Sequence, residues 1–469
     1  MAVAQHRTVP PGPLADPAAR RREQRSWYVY DWANSAFVTT VGTVLVGPYL
    51  TALATEAACP DLAEGARCGG TVALLGLVDV SPDSLVAFLI SISTVLIALL
   101  LPLVGAVADR SGRKRVLMAG FAWAGAAAAT CLVLVSGSAW AAGAALLVVG
   151  NACLAASLTV YDAILVDVAA PDERDRVSSR GWALGYLGGF LLLVVNLGVV
   201  LGAGSLGLSD GQAVRVSLAS AGLWWAGFTL VPFLGLRDRP AVDVVGGRQA
   251  GVAGLVGGTV RQLADTAREA RRYPQTLLFL GAYVLFNDGV QTVIAVSSIY
   301  GSVELGFATE QLILVIVVVQ AVAFVGALLF GRLARTTGAK RAILLSLVVW
   351  TAVVGAAYLL PAGQLVPFVA LGAGIGLVLG GTQALSRSLY SQLVPYGKQA
   401  EYFSLYQAAE RGTSWFGTLT FGIVQQVTGS FRLSILAVVA FFVLGGLLLL
   451  RVDVRKGITD AGNEVPEVV

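Results

Sequence analysis

The sequence predicts an all-α polytopic membrane protein with twelve transmembrane helices in two pseudo-symmetric six-helix bundles. Hydrophobic residues make up 56% of the 469 residues and charged residues 13%, and the mean hydropathy is +0.77; soluble proteins carry about 25% charged residues. Twelve apolar runs are each long enough to cross about 30 Å of hydrocarbon as a helix. A basic, glycine-containing loop also occurs twice with the same internal spacing.

The apolar runs form two sets of six, separated by a polar connector. The first set lies near residues 27–54, 84–108, 114–136, 140–169, 177–203 and 213–236. The second set lies near residues 274–300, 309–333, 340–360, 364–394, 401–428 and 432–451. We therefore expect an N-terminal tail (1–26), a bundle (27–236), a connector (237–272), a second bundle (273–451) and a C-terminal tail (452–469).

Two polar regions precede the two bundles. Residues 1–26 are rich in Pro and Arg, and the apolar run that follows is too long for the core of a signal peptide, so we expect a disordered cytoplasmic tail. The connector ends in VRQLADTAREARRY, where apolar residues recur at helical spacing. This pattern predicts an amphipathic helix, and both a membrane-interface helix and a solvated linker helix fit it.

The basic residues predict the orientation in the membrane. Only Arg67, Arg215 and Arg432 fall in loops on one side, and Arg387 and Arg411 fall within spans. The remaining 27 of the 32 basic residues fall on the other side. Because basic loops stay in the cytoplasm, we expect both termini there.

The repeated loop reads GAVADRSGRKR from Gly105 to Arg115. It returns 226 positions later as GRLARTTGAKR, from Gly331 to Arg341. Both glycines and the lysine keep their places, whereas Arg335 replaces Asp109. The offset suggests one six-span unit used twice; chance similarity of two basic loops is the alternative.

The first copy of this loop resembles the signature between spans 2 and 3 of the major facilitator superfamily. That signature is Gly, three residues, Asp, Arg or Lys, one residue, Gly, Arg, and Arg or Lys. The resemblance implies a role in gating and conformational change for Gly105, Asp109, Arg110, Gly112 and Arg113. The second copy lacks the Asp, so no salt-bridge role carries over to it.

Two polar clusters lie inside predicted spans, where an ionisable group costs roughly 2.5–3.5 kcal/mol and is a functional candidate. Asp31 and Asn34 share a face of the first span, and both substrate or proton binding and an interfacial structural role fit them. Asn287, Asp288 and Gln291 form a polar stripe midway along the seventh span. There we expect contact with substrate or a coupling proton, or else a structural hydrogen bond between helices.

Further charged residues lie nearer the cytoplasmic side, in spans 4, 5, 10 and 11: Asp162, Asp167, Arg180, Arg387 and Glu410. Opposite charges on adjoining spans should pair, because an unpaired buried charge is costly. We expect Arg387 to pair with Glu410, and either aspartate to pair with Arg180 or with Arg113. Both breakable latches between conformations and static structural pairs fit this pattern.

Composition also excludes some chemistry. The one histidine is His6, in the tail, and no GxxxxGK[ST] pattern occurs, which argues against a histidine proton relay, a His-ligated metal and ATP hydrolysis. We therefore expect no cofactor and no metal. We also expect no nucleic-acid partner, since the basic residues are dispersed and form no patch. Cys59 and Cys68 share a loop on the expected oxidising side, where either a disulfide or two thiols fit.

Four further stretches resemble the vacuole-effluxer group of autophagy-related transporters and its bacterial relatives: YDWANSAF (30–37), RGWALGYLGG (180–189), FNDGVQTV (286–293) and GGTQALSRSLYSQLVP (380–395). The resemblance implies twelve helices and, from the eukaryotic members, amino-acid export. It also implies that Asp31, Asn34, Asn287 and Asp288 are signature positions. The large acidic loops of some eukaryotic members are absent, so we expect a bacterial plasma membrane and not a vacuole.

The sequence thus predicts a monomeric secondary transporter that moves a small solute, with amino-acid efflux as the first candidate and protons as a candidate coupling ion. Its two halves would rock about a midplane cavity, which the resemblance to the major facilitator superfamily implies is lined by helices 1, 4, 7 and 10. Two alternatives are a lipid or lysolipid transporter on the same scaffold and a membrane sensor that transports nothing. An enzyme is not expected, because the spans contain no nucleophile–base or metal constellation.

Overall fold

The computed structural model describes residues 16–62, 68–74, 76–240, 268–412 and 415–469. These residues are almost entirely helical. A short antiparallel hairpin of β1 (Val72–Leu74) and β2 (Val78–Val80) lies between the first two spans, with Val72 opposite Val80. In the same connection, Cys59 and Cys68 are joined by a disulfide.

The N-terminal bundle contains the first seven α-helices. Its first span is α1, a π-helical segment (Phe37–Leu45) and α2 in continuous succession. The helices are α1 (Pro17–Ala36), α2 (Val46–Ala58), α3 (Pro82–Ser111), α4 (Lys114–Cys131), α5 (Trp140–Val168), α6 (Arg174–Leu201) and α7 (Asp210–Gly235).

The C-terminal bundle contains the next seven α-helices, and a short helix follows it. The first of them continues into a π-helical turn (Tyr300–Glu304). The helices are α8 (Pro274–Ile299), α9 (Thr309–Thr337), α10 (Ala339–Ala357), α11 (Leu365–Leu393), α12 (Gln399–Gly412), α13 (Trp415–Thr428), α14 (Phe431–Arg451) and α15 (Val454–Asp460).

Within the described residues, 11 helical segments are long and apolar enough to cross a membrane. The remaining predicted span, 401–428, is divided between α12 and α13, which have 14 residues each. α12 ends at Gly412 and α13 begins at Trp415, and residues 413–414 lie outside the described residues.

The first helix begins earlier than the apolar pattern indicates. The side chain of Asp16 accepts hydrogen bonds from the amides of Ala18 and Ala19, at 2.9 and 3.3 Å, and Pro17 occupies the first helical position. This is a strong helix start. The prediction of a disordered tail is therefore wrong for residues 17–26; polar composition concealed an N-cap.

Glu23, in this early part of α1, is buried against the chain segment that follows α7. Its carboxylate accepts a hydrogen bond from the Arg237 amide at 3.0 Å and another from Arg239 Nη2 at 2.8 Å. Burial lowers the pKa of the Arg239 guanidinium, but the hydrogen bonds and negative charge of Glu23 outweigh burial and hold that pKa above its ordinary value. The predicted amphipathic helix of the connector lies outside the described residues.

Both repeated loops lie at one end of the molecule, which we call the hairpin end. A β-carbon on Gly105 of α3 would lie 2.6 Å from the carbonyl oxygen of Ala400 in α12, and one on Gly331 of α9 would lie 2.5 Å from the β-carbon of Ser179 in α6. Each glycine therefore allows close contact with the opposite bundle. Equivalent helices thus make equivalent contacts, as a duplicated unit predicts.

Hydrogen bonds between the bundles close the hairpin end. Arg174, at the start of α6, donates from Nη1 to the Ser391 carbonyl near the end of α11, at 2.9 Å. Gln392 Nε2 donates to the Pro171 carbonyl at 2.8 Å. The C-terminal segment is held on its own half, where Asn463 Nδ2 donates to the carbonyls of Gln392 and Val394, each at 2.8 Å. It adds to this closure because the Glu467 amide donates to Asp172 Oδ1 of the other half at 2.7 Å.

Candidate functional site between the two bundles

A buried cluster of charges joins the two bundles near the hairpin end. Arg387 of α11 extends into the N-terminal bundle, where Nη2 lies 3.0 Å from Asp31 Oδ2 in α1. Its Nη1 lies 3.3 Å from Asp162 Oδ1 in α5. The side chains of Arg387, Asp31 and Asp162 are only 3%, 8% and 2% exposed. We call these three residues the Arg387 cluster.

The predicted Arg387–Glu410 pair is wrong. Glu410 accepts a hydrogen bond from the Tyr283 hydroxyl at 3.1 Å, within the C-terminal bundle. Arg387 instead lies between two carboxylates of the other bundle, which attract a guanidinium more strongly than one. Ser178 of α6 also accepts from it, with Oγ 2.9 Å from Nε and the carbonyl oxygen 3.0 Å from Nη2.

Aromatic rings surround the guanidinium. Its central carbon lies 4.8 Å from the ring centroid of Trp27 and 5.4 Å from the centroids of Tyr161 and Trp182. Trp27 stacks on Tyr161 with centroids 4.3 Å apart. The Tyr161 hydroxyl donates to Asp31 Oδ2 at 2.8 Å, so the rings hold the carboxylate as well as facing the cation.

Gly181 of α6 leaves the space that this arrangement needs. A β-carbon there would lie 2.4 Å from Asp31 Oδ2, 2.9 Å from the Trp27 ring and 3.1 Å from Arg387 Nη2. Any other side chain at this position would overlap the ion pair. Gly181 therefore does more than let the helix backbones pack closely: it also leaves room for the buried ion pair.

Asp162 links the cluster to a second helix of the C-terminal bundle. Its Oδ2 accepts a hydrogen bond from Gln407 Nε2 of α12 at 2.8 Å. Both groups bound by Asp162, the Arg387 guanidinium and the Gln407 amide, thus come from the opposite bundle. Parting the bundles would break both contacts together.

The predicted partners of Asp162 and Asp167 are also wrong. Asp167 Oδ2 lies 3.1 Å from Lys114 Nζ, while Arg113 and Arg180 are exposed. Ser178 and Gly181 occupy the inner face of α6, so the helical period of 3.6 residues turns Arg180 outward. Spacing along the chain did not reveal this face.

The loop between α3 and α4 contacts the opposite bundle through Asp109. Its two carboxylate oxygens accept from the amides of Ala400 and Glu401, at 3.1 and 2.9 Å, in the first turn of α12. A carboxylate is favoured at a helix N-terminus by the exposed amides and the helix dipole. Gly112 ends α3 with a φ of 61°, in the left-handed region, whereas Arg110 is exposed.

The polar stripe of α8 lies apart from the Arg387 cluster. Asn287 accepts at Oδ1 from Gln383 Nε2 at 2.9 Å, and its Nδ2 donates to the Glu410 carbonyl at 3.4 Å. Gln291, one turn further along, is half-buried. These contacts connect three helices of the C-terminal bundle.

Asp288 is 1% exposed and therefore does not point into lipid. Its carboxylate accepts from the Gly417 amide in the first turn of α13. Its Oδ1 atom is buried without a hydrogen-bond partner among the described residues. Asn34, the other polar candidate, donates from Nδ2 to the Tyr30 carbonyl of its own helix at 2.6 Å.

Sequence reasoning missed the uncharged members of the site. Trp27, Tyr161 and Trp182 resemble packing aromatics, and Ser178 and Gln407 have no charge to attract attention. Two of these five, Ser178 and Trp182, lie within or beside the stretch RGWALGYLGG. Its glycines at helical spacing were the available signal for a close interface.

The comparisons with known proteins agree with this architecture. A family model described as "Vacuole effluxer Atg22 like" matches residues 19–462. An uncharacterized MFS-type transporter of Bacillus subtilis, YxiO, is 28% identical over 95% of this chain and 98% of its own length. The autophagy-related protein 22-1 of Penicillium rubens is 24% identical over 96% of this chain and 93% of its own.

Solved structures show the same fold at low sequence identity. The major facilitator proton:xylose symporter XylE superposes with a TM-score of 0.66 and 14% identity, covering 92% of this chain and 96% of its own. A bacterial homologue of the iron transporter ferroportin superposes with a TM-score of 0.62 and 13% identity, over 92% and 98%. The predicted fold class, two six-helix bundles of the major facilitator type, is confirmed.

Proposed function

The chain belongs to the Atg22-like vacuole effluxer family and is a transporter of the major facilitator type, and we propose that it exports amino acids by alternating access. The description of the family as effluxers and the transporter relatives support this proposal. We further propose that residues 27–236 and 273–451 are the two units that rock against each other.

The observation on which the mechanism depends is the Arg387 cluster. Its cation comes from one bundle and both of its carboxylates come from the other, so the contact exists only while the hairpin end is closed. Removing one partner of a buried ion pair destabilises a protein by about 3–5 kcal/mol, because the other charge is left buried without compensation. We propose that the cluster is a latch, and that solute or a coupling ion supplies the free energy that opens it.

The charge distribution supports an orientation with the hairpin end in the cytoplasm. With 27 of 32 basic residues on that side, both termini would be cytoplasmic, in a bacterial plasma membrane. The structure then represents the state closed to the cytoplasm. We propose a monomer, since one chain contains both bundles and the latch between them.

Asp288 is proposed to contact the solute or the coupling proton. It is buried near the middle of α8, and its Oδ1 atom has no hydrogen-bond partner in the described part of the chain. Buried polar atoms are normally paired. A proton or a polar group of the solute would satisfy this oxygen.

The test is amino-acid release from proteoliposomes that are preloaded with an amino-acid mixture and given an imposed pH gradient. We expect more release than from preloaded vesicles that contain no protein. The variant Asp288→Asn should abolish this release. The variant Asp210→Asn, which changes an exposed carboxylate at the start of α7, should retain it. Normal release by Asp288→Asn would remove Asp288 from the mechanism. Movement of lysolipid without amino acids, or binding without any flux, would replace the proposal by the lipid-transporter or the sensor alternative.

A further inference from the structure

We propose that the site occupied here by Arg387 is a guanidinium-binding cage of the N-terminal bundle, for which Arg387 is a tethered occupant. The cage consists of Trp27, Asp31, Tyr161, Asp162 and Trp182. When the bundles part, it would accept a free guanidinium-bearing solute. This inference rests on the alternating access proposed above and adds the chemical class of one solute that the site would bind.

Three members of the cage, Trp27, Tyr161 and Asp31, are held together without Arg387. Trp27 Nε1 donates to the Tyr161 carbonyl at 3.1 Å, and the two rings stack. The Tyr161 hydroxyl then fixes Asp31 through a 2.8 Å hydrogen bond. All of these contacts lie within one bundle, so they persist when the other bundle moves away.

The geometry favours a guanidinium over an ammonium group. Arg387 presents two nitrogens to the two oxygens of Asp31, with Nη2–Oδ2 at 3.0 Å and Nη1–Oδ1 at 3.4 Å. This is the paired arrangement that a planar fork makes with a carboxylate. The three rings around the guanidinium carbon suit a flat, weakly hydrated cation, whereas a compact ammonium ion keeps its water.

When Arg387 leaves the cage, binding of another cation there is favoured. The side chains of Asp31 and Asp162 are 8% and 2% exposed, and removal of Arg387 would leave two buried carboxylates without a cation. Leaving buried charges unpaired is strongly unfavourable. Trp182 is half-buried, unlike Trp27 and Tyr161, and so provides the side from which a solute would enter.

Chemical rescue of Arg387→Ala tests the proposal in the full-length purified protein. Methylguanidinium reproduces the end of the missing side chain, and methylammonium at the same concentration is the matched control. We expect methylguanidinium to raise the Tm of Arg387→Ala by at least about 2 °C as it saturates the cage, because a ligand that binds only the folded state stabilises it. The double variant Arg387→Ala with Asp31→Asn should lose the response.

Equal Tm shifts from both cations, or no shift, would overturn the cage. If Arg387→Ala does not fold, the wild-type protein is measured with spin labels at the exposed Arg21 and Arg341 on opposite bundles. Methylguanidinium should then raise the long-distance population more than methylammonium, and an unchanged population would overturn the proposal. Both readouts report binding without flux, so a failed cage is distinguishable from a failed transport function.

Discussion

Gly181→Ala should weaken the latch by adding one methyl group. The new β-carbon would lie 2.4 Å from Asp31 Oδ2 and 3.1 Å from Arg387 Nη2. Rotating the Asp31 carboxylate away relieves the shortest of these contacts but gives up its paired hydrogen bonds with Arg387 and the hydrogen bond from the Tyr161 hydroxyl. In a state where Arg387 has already left, only the Tyr161 hydrogen bond is lost, so the substitution favours an open hairpin end.

The size of the effect follows from the overlap. Inserting a methyl group into a packed interior typically costs about 1–3 kcal/mol, which corresponds to a shift of roughly 5–150-fold in a two-state equilibrium. Gly198→Ala is the matched control, because it lies on the same helix with nothing within 4 Å of the added carbon. Ala also has the higher helix propensity at both positions, so the control should be neutral or slightly stabilising.

The assay is the distance distribution between spin labels at Arg21 and Arg341, accompanied by thermal unfolding. Gly181→Ala should populate longer distances and lower the Tm, while Gly198→Ala should match the parent protein. Indistinguishable distances and Tm values for the two variants would refute the latch mechanism, since one of them disturbs the Arg387 cluster and the other touches nothing.

Three further predictions concern Asp109 and the Cys59–Cys68 disulfide. Asp109→Asn should cost about 1–2 kcal/mol in thermal unfolding, because the N-terminus of α12 loses its carboxylate, whereas Asp79→Asn on the exposed β2 strand should cost little; equal losses would contradict the capping role. Reduction of the Cys59–Cys68 disulfide should destabilise the protein by about 2–3 kcal/mol through the short loop that it closes. In a background without the two free cysteines, Cys131 and Cys153, an impermeant maleimide should then label Cys59 and Cys68 from the outer side only. Labelling from the cytoplasmic side would reverse the orientation.

The sequence predicts the bundle architecture well because hydropathy is a local property. Eleven apolar runs correspond to continuous helices among the described residues, and a single run of charged and small residues marks each hairpin. The start of α1 was missed because an Asp-Pro cap followed by Arg residues has the composition of a tail. Burial of Glu23 against Arg239 depends on a segment more than 200 residues away along the chain, which no local pattern contains.

The sequence singled out all three residues of the Arg387 cluster but predicted the wrong pairs. Charge inside a span identified Asp31, Asp162 and Arg387, because charge in hydrocarbon must be compensated. Which partners meet depends on helix rotation and on the space at Gly181, and neither is encoded in spacing. The pairing of Arg387 with Glu410 assumed partners on consecutive spans, whereas the closing contact lies between bundles.

Asp288 illustrates the remaining limit of sequence reasoning. Its burial follows from its midspan position, and the structure agrees. Its contact with the Gly417 amide of α13 could not be foreseen, because hydropathy does not show which part of the eleventh span lies against α8. Its role toward solute or proton stays a prediction.

A reversible cross-link across the hairpin end tests the central claim most directly. Ser388 of α11 donates a hydrogen bond to Asp175 of α6, so cysteines at both positions should form a disulfide that fixes the two bundles together. We predict that oxidised Asp175→Cys/Ser388→Cys protein releases no amino acids from vesicles, that reduction restores release, and that each single variant is unaffected by oxidant. Undiminished release from protein shown by mass spectrometry to be fully cross-linked would contradict alternating access through this end.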